Sequence, residues 1–519
     1  MPIIGKLLKK GLQLRSAIEQ DYSQPFDLQK EQLKQLLITA GPTGFGQHYR
    51  FDALLKSFRS TEAGAFYQEY RTRVPIHDYN KMHNEWWYLC REGMKNVSWP
   101  GRVRYFALSS GTSEAASKYI PVTKEMLKAM QKVSVRQILS LNQYDLPERL
   151  FQKGILMLGG STDLNRYKYS YEGDLSGITC SKMPYWLSGF YKPGHKIAKE
   201  KDWMRKLDEI TLKAPKWDIG VIVGVPAWLQ MLLEKIIDHY GLTTIHDIWP
   251  NLSIFTHGGV SITPYLKSFE RLTARPLTYI ETYLASEGFI AFQNRPQVKA
   301  MQMMLNCGIF FEFIPFTEKN FTAEGELVDH PETLMIHEVE EGKEYALLLS
   351  TCAGAWRYLI GDVVKFTNKQ DSEIVITGRT KHFLSLCGEH LSVDNMNKAV
   401  QLLAEDLHTE INEYTVIGTT HESLFAHHWF LSINQDVEEE SVRNKLDGYL
   451  KSLNDDYRTE RNAALKEVKV SLLPAEVFIN WMKSQGKIGG QHKFPRVIRG
   501  KSVTSWLACV DAFKATTKM

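Results

Sequence analysis

Apolar and polar positions along the chain change their period from region to region, and the changes mark out structure. Over the first 100 residues, helical patches alternate with turns, and aromatic residues gather near Trp86, Trp87 and Trp99, which predicts a helical lead-in. From there the pattern reads strand, loop, helix: a strand over 103–108, a helix over 123–141 capped by Thr123, and a short buried strand over 155–158. A second buried strand over 217–225 runs into a helix that opens at Pro226. In that helix Leu229, Leu232, Leu233, Ile236, Ile237 and Tyr240 share one face, and Gly241 follows as a stop. Alternation of this kind predicts an α/β domain with a largely parallel sheet.

Between residues 316 and 332 the chain turns polar and acidic, after which 345–351 and 373–377 read as strands separated by turns. Gly378-Arg379-Thr380-Lys381 reads as a boundary. Beyond it the pattern restarts as a compact α+β unit with a strand at 414–417, a helix using Val442, Leu446, Leu450 and Leu453, a strand at 468–473 and a helix opened by Pro474. The expected organisation is a large α/β domain over 1–378 and a smaller α+β domain over 379–519. No internal repeat or low-complexity tract interrupts it.

Length and composition narrow the class. A chain of 519 residues exceeds one ordinary core and calls for at least two domains. With 43% hydrophobic and 24% charged residues it has a globular composition with little room for extended disorder. The 63 basic and 59 acidic side chains leave a net charge of +4, too small a field to make nucleic acid or an anionic membrane the main partner. Six dispersed cysteines (Cys90, Cys180, Cys307, Cys352, Cys387 and Cys509) form no Cys-x-x-Cys pair and read as buried, reduced thiols, as in the cytoplasm. The basic N-terminus lacks a continuous apolar run and reads as an amphipathic helix packed on the body. No stretch approaches the roughly 20 apolar residues of a membrane span. A cytoplasmic monomer without stable membrane association is expected.

The segment richest in chemistry is Ser109-Ser110-Gly111-Thr112-Ser113-Glu114-Ala115-Ala116-Ser117-Lys118, set between two expected strands. Hydroxyls, exposed N–H groups around Gly111 and the charge of Lys118 suit phosphate oxygens. The Walker order is absent, and Tyr119-Ile120-Pro121-Val122 reads as a strand where a P-loop has a helix, so a P-loop NTPase is disfavoured. Taken alone, a polar hairpin turn explains the composition as well as a nucleotide loop does.

Four further segments follow in order. Thr256-His257-Gly258-Gly259 comes after a short strand over 252–255, and its glycines let a flat ring lie against the backbone, although a plain turn would also use them. Tyr283-Leu284-Ala285-Ser286-Glu287-Gly288 follows a β-like run over 277–280, which places Glu287 at a strand end where α/β ligand crevices form. One carboxylate beside a hydroxyl is what a phosphate-bound Mg²⁺ takes from protein. Trp356-Arg357-Tyr358-Leu359-Ile360-Gly361-Asp362 offers a turn glycine and an aspartate able to hold a ribose diol, with Arg379 on the next hairpin as a second contact. Last, Gly489-Gly490-Gln491-His492-Lys493-Phe494-Pro495-Arg496 puts a lysine in a glycine-rich loop of the small domain. A surface location accounts for any one of these polar groups. The paired His427-His428 and the acidic runs near Glu338 and Glu438 read as surface.

Together, in order and spacing, these segments resemble the adenylate-forming enzymes. The nearest resemblance is to the auxin-responsive acyl-acid amido synthetases (the Gretchen Hagen family), whose nucleotide motifs read Ser-Ser-Gly-Thr-Ser/Thr…Lys, Tyr-x-x-Ser-Glu and Tyr-x-x-Gly-Asp. It extends from about residue 20 to the end. The resemblance implies an adenylate-forming fold with a mobile small domain, Mg·ATP as cosubstrate, and carboxylic acid and amino acid substrates. Ser109, Ser110, Gly111, Thr112, Ser113 and Lys118 would then cradle phosphates. His257, Gly258, Gly259 and Tyr283 would flank adenine, with Ser286 beside them and Glu287 on Mg²⁺. Asp362 and Arg379 would take the ribose, and Lys493 the reacting carboxylate and α-phosphate. Glu114-Ala115 stands where plant members have Gly-Gly, and Ala285 where they have Ser.

The implied chemistry solves a general problem, because an amine cannot attack a carboxylate directly. Adenylation converts it to a mixed anhydride, with catalysis by positioning and charge neutralisation from Lys118, Lys493 and Mg²⁺. His257 is a candidate base for the attacking amine on chemical grounds. Two rival readings are an acyl-CoA synthetase that transfers the acyl group to coenzyme A and a non-catalytic nucleotide-binding relative. The acyl pocket is expected among scattered apolar residues, including the region from Trp217 to Trp228.

Overall fold

A computed structural model describes residues 24–517, apart from 61–63, 113–114, 184–187, 323–324, 381–382, 410, 412, 423, 434–436 and 486–493. The chain divides into two compact units, one formed by Met1–Leu108 with Tyr119–Thr380 and the other by Ser109–Lys118 with Lys381–Met519.

The first unit opens with the expected helical lead-in. Its helix Pro25–Ala40 buries Leu33, Leu36, Leu37 and Ala40 on one face. Gln29, fully buried on the same helix, donates through Nε2 to the carbonyls of Leu305 (2.6 Å) and Ile309 (3.0 Å) and accepts from the N–H of Phe311 (2.7 Å). One amide side chain thereby satisfies backbone groups of a strand that would otherwise be an open sheet edge.

Fifteen strands follow among the described residues: β1 (Tyr105–Thr112), β2 (Ala115–Val122), β3 (Gly154–Leu158), β4 (Asn165–Tyr167), β5 (Ser170–Gly173), β6 (Tyr191–Lys192), β7 (Ile219–Gly224), β8 (Ile254–Gly258), β9 (Thr278–Ala285), β10 (Gly288–Phe292), β11 (Met301–Met303), β12 (Ile309–Pro315), β13 (Glu344–Thr351), β14 (Tyr358–Asn368) and β15 (Glu373–Arg379). Eleven of them form one sheet in the order β12-β13-β14-β15-β11-β10-β9-β8-β7-β3-β6, and a smaller sheet runs β2-β1-β5-β4.

The expectation of a largely parallel sheet holds for one half only. From β6 through β3, β7 and β8 to β9 every pairing is parallel. The helices Trp203–Lys213, Pro226–Tyr240 and Leu266–Leu272 make the crossovers that parallel strands need. From β9 to β12 every pairing is antiparallel. There the connections are mostly short turns, and among the described residues no amphipathic helix is interposed to reverse the chain.

Local signals in the sequence act where expected. Thr123 caps the helix Lys124–Ser140 by accepting from the Met126 N–H at 3.1 Å. The helix Pro226–Tyr240 ends at Gly241. Two local readings need correction. Most of the hydroxyl segment is strand and not loop, since β1 extends through Thr112 and β2 begins at Ala115, while Ser113 and Glu114 lie outside the described residues. Gly361-Asp362 is not a turn either, because both residues lie inside the eleven-residue strand β14.

The second unit carries β16 (Phe383–Leu384) paired with β17 (Leu391–Ser392), and a four-stranded sheet β20-β19-β18-β21 from β18 (Tyr414–His421), β19 (Leu424–Ser432), β20 (Leu465–Leu473) and β21 (Val497–Ile498). The helix Glu439–Leu453 buries Val442, Leu446 and Leu450. A second core forms where Phe430 and Ile417 meet Trp481, Phe494 and Trp506. His427, expected at the surface, is fully buried, with Nε2 2.8 Å from Glu389 Oε1. Burial pushes the Glu389 carboxyl up, but the hydrogen bond to His427 and the Cys387 N–H outweigh it and hold the group at about 2.

Candidate active site

In the first unit, Asp362 is the hub of the residues singled out in the sequence. Its Oδ2 accepts a hydrogen bond from Tyr283 Oη at 2.5 Å, and its Oδ1 lies 2.7 Å from Arg379 Nε. Arg379 faces Asp362 because the two are register partners on the antiparallel pair β14–β15. The N–H of Thr380 donates to the carbonyl of Gly361 at 2.8 Å and fixes the end of that pairing. Gly361 has φ +89°, a conformation glycine adopts without the steric cost borne by other residues.

Tyr283 comes from β9, with three strands between it and β14 in the sheet order, so the sheet must curl for the two to meet. Burial pushes the Tyr283 hydroxyl well above its ordinary range, and the Asp362 charge beside it pushes the same way. It is a fixed neutral donor at any physiological pH. Glu287 also acts on it, and sits with Ser286 in the two-residue turn that joins β9 to β10. Glu287 is buried and its charge also reaches Tyr358.

The neighbouring strand β8 brings His257, Gly258 and Gly259 to the same edge of the sheet. Gly258 is register partner of Thr282, and an added Cβ would lie 2.6 Å from the Thr282 carbonyl oxygen, so no larger residue fits there. Thr282 Oγ1 donates to the His257 carbonyl at 2.8 Å. The His257 imidazole is buried, and burial pushes its pKa down to about 4. A neutral ring at physiological pH is thus built into the fold.

The remaining expected site residues divide by position. Ser109 and Lys118 are partly buried on β1 and β2 and belong to the second unit. Ser110, Gly111 and Thr112 lie on β1, and their side chains are outside the described residues. Ser113 and Lys493 are outside them altogether. Among the described residues no group of three or more histidine, cysteine, aspartate or glutamate side chains could hold a metal ion. No helix there is long and apolar enough to cross a membrane.

Two residues that shape this site were not singled out in the sequence. Arg357, five positions before Asp362, is a buried strut: its Nε lies 2.9 and 3.1 Å from the two carboxylate oxygens of fully buried Glu312. A lone glutamate inside Ile-Phe-Phe-Glu-Phe-Ile-Pro is the signal that a buried cation must lie near it. The second is Glu281 on β9, half-buried and raised in pKa by burial. It stands two residues before Tyr283, so strand periodicity puts it on the same face.

Comparison with known proteins gives one consistent answer. Three family models match in order: the GH3 family N-terminal domain over residues 14–202, the central domain over 302–379 and the C-terminal domain over 394–502. The chain is 28% identical over 189 residues to the indole-3-acetic acid-amido synthetase GH3.2 of Arabidopsis thaliana, covering 34% of each chain. It is 27% identical over 278 residues to GH3.3 of the same plant, covering 49% of this chain and 45% of the relative. Against the jasmonoyl-L-amino acid synthetase JAR4 of Nicotiana attenuata it is 28% identical over 222 residues, 40% and 37% of the two chains. The chain thus spans between a third and a half of the length of these curated relatives. Among solved structures, the GH3.15 acyl acid amido synthetase superposes with a TM-score of 0.56 at 16% identity, over 94% of this chain and 93% of the other. A 2-hydroxyisobutyryl-CoA ligase gives 0.58 at 10% identity, over 94% and 91%. At such identities the likeness establishes the adenylate-forming fold.

Proposed function

From the premise that this chain belongs to the GH3 family, we propose that it is an ATP-dependent ligase that adenylates a carboxylic acid and conjugates the acyl group to an amino acid. The observation that carries the reading is the Asp362 hub. A carboxylate has about four lone-pair sites, and Asp362 uses one for Tyr283 and one toward Arg379, which leaves two for a vicinal diol such as ribose. Arg379 keeps the group aimed. Tyr283, tethered by its own hydroxyl, presents a fixed ring for a purine, and the Gly258–Thr282 approach keeps the adjoining edge free of side chains.

Lys118 and Lys493 would neutralise the charge that gathers on the α-phosphate and the departing pyrophosphate as the carboxylate attacks. Glu287 would supply the single protein carboxylate that a nucleotide-bound Mg²⁺ takes. The amine then displaces AMP. His257 is ill suited to collect the amine's proton, since burial that holds its pKa near 4 makes it a weak base. The names of the relatives, each joining an acid to an amino acid or amine, support an amine over a thiol as acceptor.

The test is pyrophosphate release from Mg·ATP across aromatic, aliphatic and hydroxy acids, with mixed amino acids or with coenzyme A. Acid-dependent release that yields an amide only when amino acid is present is expected. A thioester product would move the chain to the acyl-CoA ligases, and ATP binding without turnover on any acid would leave a nucleotide-binding relative.

A further inference from the structure

His257 and Glu281 form a pair that the chemistry above does not use. They are register partners on the parallel strands β8 and β9, which puts their side chains on one face, about 5 Å apart at the backbone. Tyr283 shares that face two residues further along, so the pair lies one step deeper into the sheet than the ring proposed to flank the nucleotide.

Below the pair, the wall is aromatic. Phe255 and Tyr279, register partners in the same two strands, lie 6.0 Å apart by ring centroids, and Phe269 closes on Phe255 at 4.9 Å. The His257 ring meets Phe255 edge-on at 5.6 Å and Tyr279 at 6.4 Å. Phe255 and Phe269 are fully buried, and apolar surroundings of this kind suit the carbon skeleton of an acid far better than a triphosphate.

Into this wall the fold has set two polar groups left without partners. His257 is 97% buried by side-chain accessibility. Its Nδ1 has no hydrogen-bond partner among the described residues. The carboxylate of Glu281 makes no hydrogen bond or ion pair among them, and burial disfavours its charge. Leaving the buried His257 nitrogen unpaired costs about 1–3 kcal/mol, so a ligand that satisfies it is selected over one that does not, and the half-buried Glu281 carboxylate stands beside it to take that ligand's proton-bearing side.

The missing partner can be described by its chemistry. A carboxylate only accepts, so the ligand must donate to Glu281. A neutral imidazole has one donor and one acceptor nitrogen, so the same ligand atom can accept from it. A hydroxyl does both at a single atom, whereas an indole-type N–H can only donate. We propose that His257 and Glu281 together seat a hydroxyl group of the acyl acid, making this chain selective for hydroxylated acids over acids of the same shape without the hydroxyl. This rests on the acid-activating reading given above.

The experiment compares matched pairs, such as hydroxyphenylacetate with phenylacetate and hydroxybenzoates with benzoate, in full-length wild type, Glu281→Leu, Glu281→Gln and His257→Phe. Steady-state pyrophosphate release is measured alongside calorimetric binding of the same acids. The wild type should favour the best hydroxylated acid by about 100-fold in kcat/KM. Glu281→Leu and His257→Phe should each cut that ratio at least about tenfold, and Glu281→Gln, which keeps an acceptor oxygen, should retain part of it. Variants that raise KM for ATP equally with every acid while leaving the ratio intact would overturn the proposal and assign the pair to the nucleobase. A wild type that turns over acids with no hydroxyl preference would overturn it alone. If no acid supports turnover, the acid-activating reading fails instead, and calorimetry then decides the pair: equal binding of matched acids rejects it.

Discussion

Two arginine–carboxylate pairs lie five residues apart on one segment, and they do opposite work. Arg357 and Glu312 are 5% and 0% exposed, whereas Arg379 and Asp362 are 27% and 15% exposed. At the buried pair the bonding capacity is turned inward. Arg357 bonds Glu312, the carbonyls of Arg71 (3.0 Å) and Val74 (2.9 Å) and the hydroxyl of Thr333 (3.2 Å), while Tyr67 Oη sits 3.0 Å from Glu312. Its backbone is left-handed at φ +43°, a strain that these bonds hold in place. At the exposed pair, the carboxylate keeps lone pairs in reserve. A single motif, Arg-Tyr-x-x-Gly-Asp, therefore contains one residue that fixes the strand and another that the proposed function assigns to a ligand, and only accessibility tells them apart.

The sharpest way to break the comparison is at the buried corner. Arg357→Met leaves a fully buried carboxylate without its cation and should destabilise the first unit by about 3–5 kcal/mol, read from chemical denaturation. Adding Glu312→Leu should recover most of that loss, since burial already pushes the Glu312 carboxyl up and opposes its charge. If the double variant is no more stable than the single, the pair is not the strut described.

Acid should attack the same corner. His77 donates its backbone N–H to the Arg357 carbonyl at 2.9 Å, and its Nδ1 lies 2.9 Å from the Trp356 carbonyl. Burial, helped by the charge of Lys81, pushes its imidazole down to about 4. In the unfolded chain the group titrates near the ordinary value of about 6.5. Above that pH neither state binds the proton and stability is full. Between 6.5 and 4 only the unfolded chain binds it, so stability falls with pH by about 1.4 kcal/mol per unit, to a loss of about 3 kcal/mol. His77→Gln should flatten the dependence of unfolding free energy on pH in that window by one proton. An unchanged slope would remove His77 from the account.

The contrast also explains what could be read beforehand. Tyr283, Asp362 and Arg379 were visible because motif residues with polar chemistry stand at strand ends or beside glycine. Their meeting was not, since Tyr283 and Asp362 are 79 positions apart and come together only when the sheet curls. The parallel half of the sheet was legible from helices that alternate with buried strands, as in the run from β7 through Pro226–Tyr240. Its antiparallel half was not, because β12 to β15 are joined without helices and their period of two is hidden by burial on both faces: β12 is Ile-Phe-Phe-Glu-Phe-Ile-Pro. Burial of His427 was equally hidden, since a His-His pair between apolar residues carries no mark of the Glu389 that meets it from 38 positions away.

At the exposed pair the expected effects fall on function and spare the fold. Asp362→Asn keeps the volume and an acceptor for Tyr283 but removes the charge. It should change unfolding free energy by less than about 1 kcal/mol. Yet kcat/KM for ATP should fall about 100-fold, equivalent to about 2.7 kcal/mol of transition-state stabilisation. An equal loss of stability and of activity would mean that Asp362 is a second strut and that the two pairs do not differ in kind.

The smallest effect separates charge from shape at the same carboxylate. Arg379→Lys preserves the cation but replaces a planar fork with a flexible point charge, and Arg379 Nη2 also reaches the Ile360 carbonyl at 3.4 Å beside Gly361. If Arg379 serves only as a positive charge beside Asp362, lysine should suffice and kcat/KM for ATP should stay within about twofold. If it also holds the carboxylate at a fixed angle to a ligand, the loss should be about tenfold and should appear in KM, because a misaligned acceptor weakens binding before chemistry begins. The register pairing of Asp362 with Arg379 makes the second result the expected one, since two strands that already fix both backbones leave the guanidinium fork and the Tyr283 hydroxyl as the constraints on the carboxylate plane.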